Sequence, residues 1–365
     1  MNNTQKFRAV SLFSGAGGLD VGFRDAGANI VWANDINKDA CKTYVANFGD
    51  HIRCGALDAF KDELNSISDI DLVFGGPPCQ GFSVAGKMNP QDPRSQLIWE
   101  FLDVVKKVNP KAFIMENVKA LGTLSKWESV RKSLLNDLRK LGYSTSYIVL
   151  NASDYDVPQV RERVFFIGFK GDSRLSPDLE TMLIPYKHKS KTVKEALAVL
   201  DKAGEGNNSA TCKAKITLAA SPVLRKSPYA GMIFNGLGRP IKIDGYCSTL
   251  PASMGGNKTP IIDEEELYNS QKSWVVEYHQ NLWQDKIAPE FRDAPSFLRR
   301  LTVAEAALIQ TFPLDFKFVG SQSSIYTQIG NAVPCNLGKA VAKMVMDILS
   351  GEANIKHQTN QLELL

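Results

Sequence analysis

Cys79 sits in the stretch DLVFGGPPCQGFS, between prolines and polar residues rather than the apolar side chains that enclose a structural thiol. A cysteine in that setting is a candidate nucleophile, set against the plainer reading of a buried thiol. Glu116, in the block ENV, closes another apolar run; it is either a helix-cap or surface carboxylate, or a proton donor whose pKa a cleft would raise. In Gln159-Val160-Arg161-Glu162-Arg163, extended backbone puts Gln159, Arg161 and Arg163 on one face and Glu162 on the other. Two guanidiniums ahead of a wholly apolar strand suit an anion or carbonyl clamp better than a solvated edge of weak ion pairs. Together these residues would supply a nucleophile, a proton and a clamp.

Each must be held by an element. Leu72–Phe74 reads as a short buried strand that Gly75-Gly76-Pro77-Pro78 stops, because proline has a fixed φ and no amide hydrogen. That leaves Cys79 on a stiff loop past a strand's carboxyl end, where open α/β sheets keep their ligand crevice. Ala112–Met115 is a second buried strand with Glu116 at its end, and parallel neighbours would set Cys79 and Glu116 side by side. Gln96–Val108 has helical periodicity and stops before Pro110, and Trp127–Leu141 is a further helix. Strands follow near Tyr147–Asn151 and Val164–Phe169.

Upstream, the apolar run Phe7–Phe13 leads straight into Ser14-Gly15-Ala16-Gly17-Gly18 and a helical pattern. Strand, glycine loop and helix form the arrangement that faces a nucleotide or nucleoside, although the spacing is not GxGxxG and a plain tight turn is the alternative. Asp35 closes a second apolar strand at the distance where a carboxylate commonly binds ribose hydroxyls. Asp58, in GALDAF, ends a third expected strand, as an acceptor for an adenine amino group or as a solvated loop residue.

The chain has 365 residues, 44% of them hydrophobic and 22% charged, which describes an ordinary globular protein of about two domains. Its net charge of +4 is too small to imply polyanion binding by itself, so any nucleic-acid surface must come from local clustering. Six cysteines without a CxxC pair and four scattered histidines argue against a zinc site, and no metal is expected. Neither a signal core nor an 18-residue apolar run is present, so a cytoplasmic protein with reduced thiols and no membrane partner is expected.

From about residue 187 the βα alternation gives way to a stretch rich in Gly, Pro, Ser and Asn. We divide the chain into 1–186, a loop-rich domain over 187–298, and a return segment over 299–365 that completes the first domain. In the middle domain Arg239, Lys242, Lys258, Asn235, Asn257 and Tyr246 lie among glycines, a mixture that suits groove reading as well as an ordinary surface loop. Asp263–Glu266 reads as a solvated acidic face. Thr302 with Glu305 makes a capping box, and QIGNAVP precedes a helix over Leu337–Leu349.

Taken together, these blocks resemble the DNA cytosine-5 methyltransferases of bacterial restriction-modification type, from Ser11 to about Val341 and with the family's motif order intact. SLFSGAGGLDVGF is similar to its cofactor loop, GGPPCQGFS to its nucleophile loop, ENV to its glutamate block and QVRERVFFIG to its arginine block; RRLTVAEAALIQTFP and QIGNAVP complete the series. The resemblance implies an α/β, Rossmann-like, doubly wound sheet with a smaller, loop-rich DNA-recognition domain. It implies S-adenosylmethionine as cofactor, held by Phe13, Ser14, Gly15, Ala16, Gly17, Gly18, Asp35, Ile36, Asp58, Ala59, Pro77, Leu97, Asn331, Ala332 and Val333. It implies duplex DNA as substrate and partner, met by Gln80, Ser83, Arg239, Lys242, Thr249 and Lys258, with the target cytosine flipped out of the stack. A monomer is expected, with a cognate restriction endonuclease acting on the same site as the implied biological partner. A tRNA-acting branch and a catalytically silent DNA-binding relative are the alternatives; the large basic recognition segment favours DNA, and intact Cys79, Glu116 and Arg161 oppose the second.

The chemistry agrees with the residues. Thiolate addition to carbon 6 of cytosine would make carbon 5 nucleophilic, Glu116 would protonate N3, and Arg161, with Arg163 in support, would hold the ring carbonyl. No residue is an obvious base for removing the carbon 5 proton. Specificity must lie outside the shared blocks. Arg239→Ala is therefore expected to relax base choice at one position, at a cost of about 1–3 kcal/mol. Lys258→Ala should instead weaken all sequences alike and flatten the salt dependence. Sequencing of methylated random-library DNA separates the two outcomes.

Overall fold

The computed structural model describes residues 7–78 and 96–357, so Cys79, Gln80 and Ser83 lie outside the described residues. Two compact units divide the chain: Met1–Tyr155, Glu162–Lys189 and Val333–Leu365 form the first, and Asp156–Arg161 with Ser190–Ala332 the second.

The first unit alternates β1 (Arg8–Leu12), α1 (Gly18–Asp25), β2 (Asn29–Asp35), α2 (Lys38–Phe48), β3 (Ile52–Cys54), α3 (Lys61–Asn65), β4 (Leu72–Gly75), α4 (Leu97–Val108) and β5 (Ala112–Val118). There follow α5 (Lys119–Thr123), α6 (Glu128–Lys140) and β6 (Tyr143–Asn151). After the two-residue β7 (Gln159–Val160) of the second unit, the first resumes with β8 (Glu162–Lys170) and α7 (Leu179–Leu183). Its seven strands lie in the order β3-β2-β1-β4-β5-β8-β6. The expected doubly wound α/β sheet is therefore present, with one departure: β8 runs antiparallel to both β5 and β6.

Central strands carry continuous apolar runs because helices cover the sheet. Val10, Leu12, Val73, Phe113 and Met115 pack in one core with Ile98, Phe101, Leu102 and Val105 of α4 and Leu134 and Leu138 of α6. Each such side chain, once buried, stabilises the fold by about 1.5–3 kcal/mol. The helix boundaries have local causes. Asn37 caps α2 by accepting from the amides of Asp39 and Ala40 at 3.0 Å. α4 stops at Asn109, in left-handed geometry just before Pro110.

The second unit holds α8 (Val193–Leu197), the hairpin β9 (Leu218–Val223) and β10 (Met232–Phe234), β11 (Cys247–Ser248), and β12 (Ile261–Asp263). It continues with α9 (Glu264–Asn269), α10 (Trp274–Trp283), β13 (Leu298–Arg300), α11 (Val303–Ile309) and α12 (Gln322–Asn331). Leu218, Ile233, Phe234, Ile261, Val275, Leu282 and Leu298 form its core. The chain returns to the first unit with α13 (Cys335–Leu349). No helix among the described residues is long and apolar enough to cross a membrane.

Two expectations change here. The return to the first unit comes at Val333 rather than near residue 299, because β13 pairs with β12 inside the second unit. Asp263 is not a solvated acid: it is buried and caps α9, accepting from the amides of Glu265, Glu266 and Trp274. The capping box of Thr302 and Glu305 forms as expected.

Glu305 is only 1% exposed, and Arg299 answers its charge with bonds of 2.8 and 2.6 Å while also binding Glu264 at 2.6 Å. Removing one partner strands a buried charge. Arg299→Met is therefore expected to lower the stability of the second unit by about 3–5 kcal/mol, read as a shift in urea midpoint.

Candidate active site

The glycine loop after β1 is shaped by Asp35. Its Oδ2 accepts from the Gly15 amide at 2.8 Å and its Oδ1 from the Asn37 amide at 2.7 Å. Burial nevertheless raises its pKa above the ordinary carboxylate value, the backbone donors only partly opposing this. Ser14 donates its amide to Asn34 on β2, fixing the loop between β1 and β2. Gly17 caps α1 at φ 90°, where a Cβ would also strike the Phe48 ring at 2.4 Å, so a side chain is excluded on both counts. Phe13 also takes a left-handed backbone, at φ 54°. Ile36, next to Asp35, is 71% exposed, an apolar side chain left uncovered at this strand end.

The other expected cofactor residues divide between the units. Ala16 and Gly18 are buried in the loop, Leu97 starts α4 half-buried, and Val333 is buried at the start of the return. Ala59 is exposed beside Asp58. Asn331 and Ala332 belong to the second unit, at the end of α12. Asp58 does not end a strand: β3 stops at Cys54, and Asp58 lies in the short 3-10 turn Leu57–Phe60, ion-paired with Lys61.

Glu116 and the turn at Gly76-Pro77 meet at the carboxyl ends of β4 and β5, which are parallel neighbours with Gly75 opposite Met115. Strand β5 continues past the expected Met115 to Val118, so Glu116 projects from the strand itself. A Cβ on Gly76 would come within 2.8 Å of Glu116 Oε2, so a side chain there would push the carboxylate out of its present position. On its other oxygen Glu116 meets Arg163 Nε at 2.9 Å, both side chains being mostly buried. Arg163 Nη1 donates to the Glu162 carbonyl at 2.8 Å, which orients the fork. The Asn117 amide donates to the Pro77 carbonyl at 3.1 Å and pins the proline turn from β5. Nothing in the spacing of ENV marks Asn117 for that task.

The two arginines have different partners. Arg161, expected to lead the clamp, is 1% exposed and donates to the carbonyls of Leu250 at 3.1 Å and Gly330 at 2.9 Å, all within the second unit. Gln159 is buried beside it, its amide donating to Gln310 and its oxygen accepting from the Leu250 amide. Arg161 is thus an internal tie, and Arg163 is the arginine that meets Glu116. Among the expected DNA-facing residues, Arg239, Lys242 and Lys258 are exposed, and their charged ends make no ion pair among the described residues. Thr249 is exposed too, its hydroxyl donating to the Val160 carbonyl at 2.9 Å.

Comparison with known proteins bears on this geometry. A family model described as C-5 cytosine-specific DNA methylase matches residues 7–347. The type II methyltransferase M1.HphI of Haemophilus parahaemolyticus is 33% identical over 359 residues, covering 94% of this chain and 87% of its own. M.FnuDI of Fusobacterium nucleatum is 32% identical over 364 residues, covering 98% and 99%. The crystal structure of the S. pombe Dnmt2 methyltransferase shares the fold, with a TM-score of 0.62 at 20% identity over 96% of this chain and 100% of that one.

Asp35→Ala removes the acceptor for two loop amides at once. It is expected to destabilise the first unit by about 1–3 kcal/mol and to weaken any nucleoside-bearing ligand of the loop, with Asp35→Asn keeping part of both. Thermal unfolding with and without ligand checks this; an unchanged ligand-induced shift in Asp35→Ala would contradict it.

Proposed function

The chain belongs to the C-5 cytosine-specific DNA methylase family, and from that premise we propose that Cys79 adds to the target cytosine while Glu116 and Arg163 carry the ring. The reaction is methylation of DNA cytosine at carbon 5, the activity of the family. The observation behind the residue assignment is the Glu116–Arg163 pair lying against Gly76, three residues before Cys79 in the chain.

Carbon 5 of cytosine is too weak a nucleophile to take a methyl group directly. The Cys79 thiolate forms a bond to carbon 6, and the ring's electrons move toward N3, where Glu116 delivers its proton. A thiol of ordinary pKa, about 8.5, is mostly protonated at neutral pH, so the first step needs help from a nearby positive charge. Arg163 serves twice: Nε holds Glu116 in place, and the remaining guanidinium donors face the ring carbonyl at position 2. The base leaves the duplex to be reached, at a cost of a few kcal/mol. Once carbon 5 carries the methyl group, its proton passes to water, Cys79 leaves as thiolate, and N3 returns its proton to Glu116 as the aromatic ring is restored.

The methyl donor we assign is S-adenosylmethionine. The loop from Phe13 to Gly18 offers backbone amides at a helix start, and Asp35 offers carboxylate oxygens for a ribose, a donor set that fits this group. When bound it supplies an electrophilic methyl on a sulfonium. Ile36 would cover a face of the adenine, with Asp58, Ala59, Pro77, Leu97, Asn331, Ala332 and Val333 as further contacts. Gln80, Ser83, Arg239, Lys242, Thr249 and Lys258 would meet the DNA. Likeness to proteins named type II methyltransferases favours a modification enzyme paired with an endonuclease of the same specificity, and we assign it to the cytoplasm as a monomer.

Cys79→Ser is expected to abolish methyl incorporation while leaving cofactor affinity nearly unchanged. Wild type should form a denaturant-resistant adduct with a duplex carrying 5-fluorocytosine at the target, because fluorine cannot leave as a proton does. Normal turnover by Cys79→Ser, or no adduct on DNA shown to be a substrate, would overturn the covalent mechanism.

A further inference from the structure

In the first unit, directly after the cofactor loop, Asp20 lies in the first turn of α1 with 0% exposure. Its Oδ1 accepts from the Tyr44 hydroxyl at 2.9 Å, while Oδ2 has no hydrogen-bond partner among the described residues. The Ser11 hydroxyl lies close enough to the carboxyl to oppose part of the rise in its pKa, and it bonds Ser14 of the loop at 2.9 Å. Tyr44 gives its proton to Asp20 and so accepts at its own oxygen from His51 Nε2, 3.3 Å away.

The charges around Asp20 are few. Burial raises its pKa to about 7, and Asp35 at the end of β2 adds to the rise. Burial lowers His51 and raises Tyr44 on α2 and Cys335 on α13, so all three are neutral near pH 7. Arg24, four residues on along α1, is felt at Tyr44 and at Cys335, where Asp25 opposes it, while Arg53 and Asp50 act in opposite directions on His51. A buried carboxyl with one unanswered oxygen is a costly way to join α1 to α2, since an amide or hydroxyl would accept from Tyr44 without a charge to desolvate. The carboxyl acquires a purpose if a cation arrives at the loop.

Resting on the cofactor assignment above, we propose that Asp20 is the buried charge by which the site prefers a cationic sulfonium donor over the neutral thioether that methyl transfer leaves behind. Donor and product share the same adenosine and amino-acid parts, so contacts made by Asp35 or the loop amides hold both equally. They differ by the methyl group and a unit positive charge on sulfur. In a low-dielectric interior a carboxylate acts on such a charge without touching it, and Asp35, at the position assigned to the ribose, is near enough to add to the rise at Asp20. The preference helps turnover, because it favours exchange of spent product for fresh donor.

Linkage fixes the sign. A cation near Asp20 favours its ionised form, so donor binding lowers the pKa and releases a proton, and donor affinity rises as pH increases through about 7. A downward shift of about one unit gives a donor-to-product preference up to about tenfold greater above this window than below it.

The test is calorimetric titration of the full chain with S-adenosylmethionine and with S-adenosylhomocysteine, at several pH values and in two buffers of different ionisation heat. Wild type should release a fraction of a proton near pH 7 with the donor and less with the product, and its donor preference should rise severalfold with pH. Asp20→Asn, which keeps the volume and an acceptor for Tyr44, should lose the difference in proton release and the pH dependence while retaining product affinity. Equal proton release with both ligands, a difference that persists in Asp20→Asn, or equal weakening of both by that change would overturn the inference. If Asp20→Asn does not fold, the wild-type proton counts decide alone. Binding of neither ligand would overturn the cofactor assignment and this inference with it, an outcome distinct from binding without preference.

Discussion

The contact of Glu116 with bare backbone at Gly76 on one side and Arg163 on the other governs the arrangement of the first unit. For it to exist, β4 and β5 must be parallel neighbours, so that both end at the same edge of the sheet. An arginine must also reach that edge from the next strand. In an all-parallel sheet the amino-terminal start of the next strand lies at the opposite edge. The antiparallel course of β8 brings its beginning to the end of β5, with Arg163 opposite Val118 and two positions from the partner of Glu116. The reversal of one strand is thus what delivers the guanidinium to the carboxylate.

The other end of the same sheet edge is governed by carboxylates. Asp35 organises the glycine loop through two backbone amides, and Asp20 in the first turn of α1 is buried with the Tyr44 hydroxyl donating to it. Both have raised pKa values for one physical reason, loss of water without a paired cation. Glu116, by contrast, has Arg163 beside it. Acidic groups are therefore handled differently at the two places: with a fixed positive partner where a base would be held, and without one where a cationic ligand would arrive.

Much of this was legible in the amino-acid sequence because it is local. Prolines stop β4, apolar runs mark the buried strands, and Thr302 with Glu305 announces a helix start. The neighbouring placement of β4 and β5 also follows from reading two strand ends that carry chemistry. What was not legible depends on partners far along the chain. Arg161 and Arg163 look alike two residues apart, yet Arg161 is consumed by carbonyls 89 and 169 residues away. Asp263 looks like part of a solvated run until α9 and Trp274 close over it. Asp58 was misplaced for a smaller reason, since GALDAF does not reveal where β3 stops and a 3-10 turn begins. Asp20 looks like an ordinary acid in the first turn of a helix, and only the burial supplied by Tyr44 and α13 makes it unusual.

The second unit is built from two pieces of chain, Asp156–Arg161 and Ser190–Ala332. The short piece is no bystander: β7 pairs with β11, Gln159 binds Gln310 and Leu250, and Arg161 binds Leu250 and Gly330. Transplanting this unit between two such chains is therefore not a matter of exchanging one continuous cassette. A graft of 190–332 alone would arrive without its own β7 and would have to accept the host's Gln159 and Arg161 in their place. In the chain the six-residue piece lies between β6 and β8, so host and graft must agree there residue by residue. Chimaeras of this architecture are constrained less by the large segment that differs than by the small one that must match.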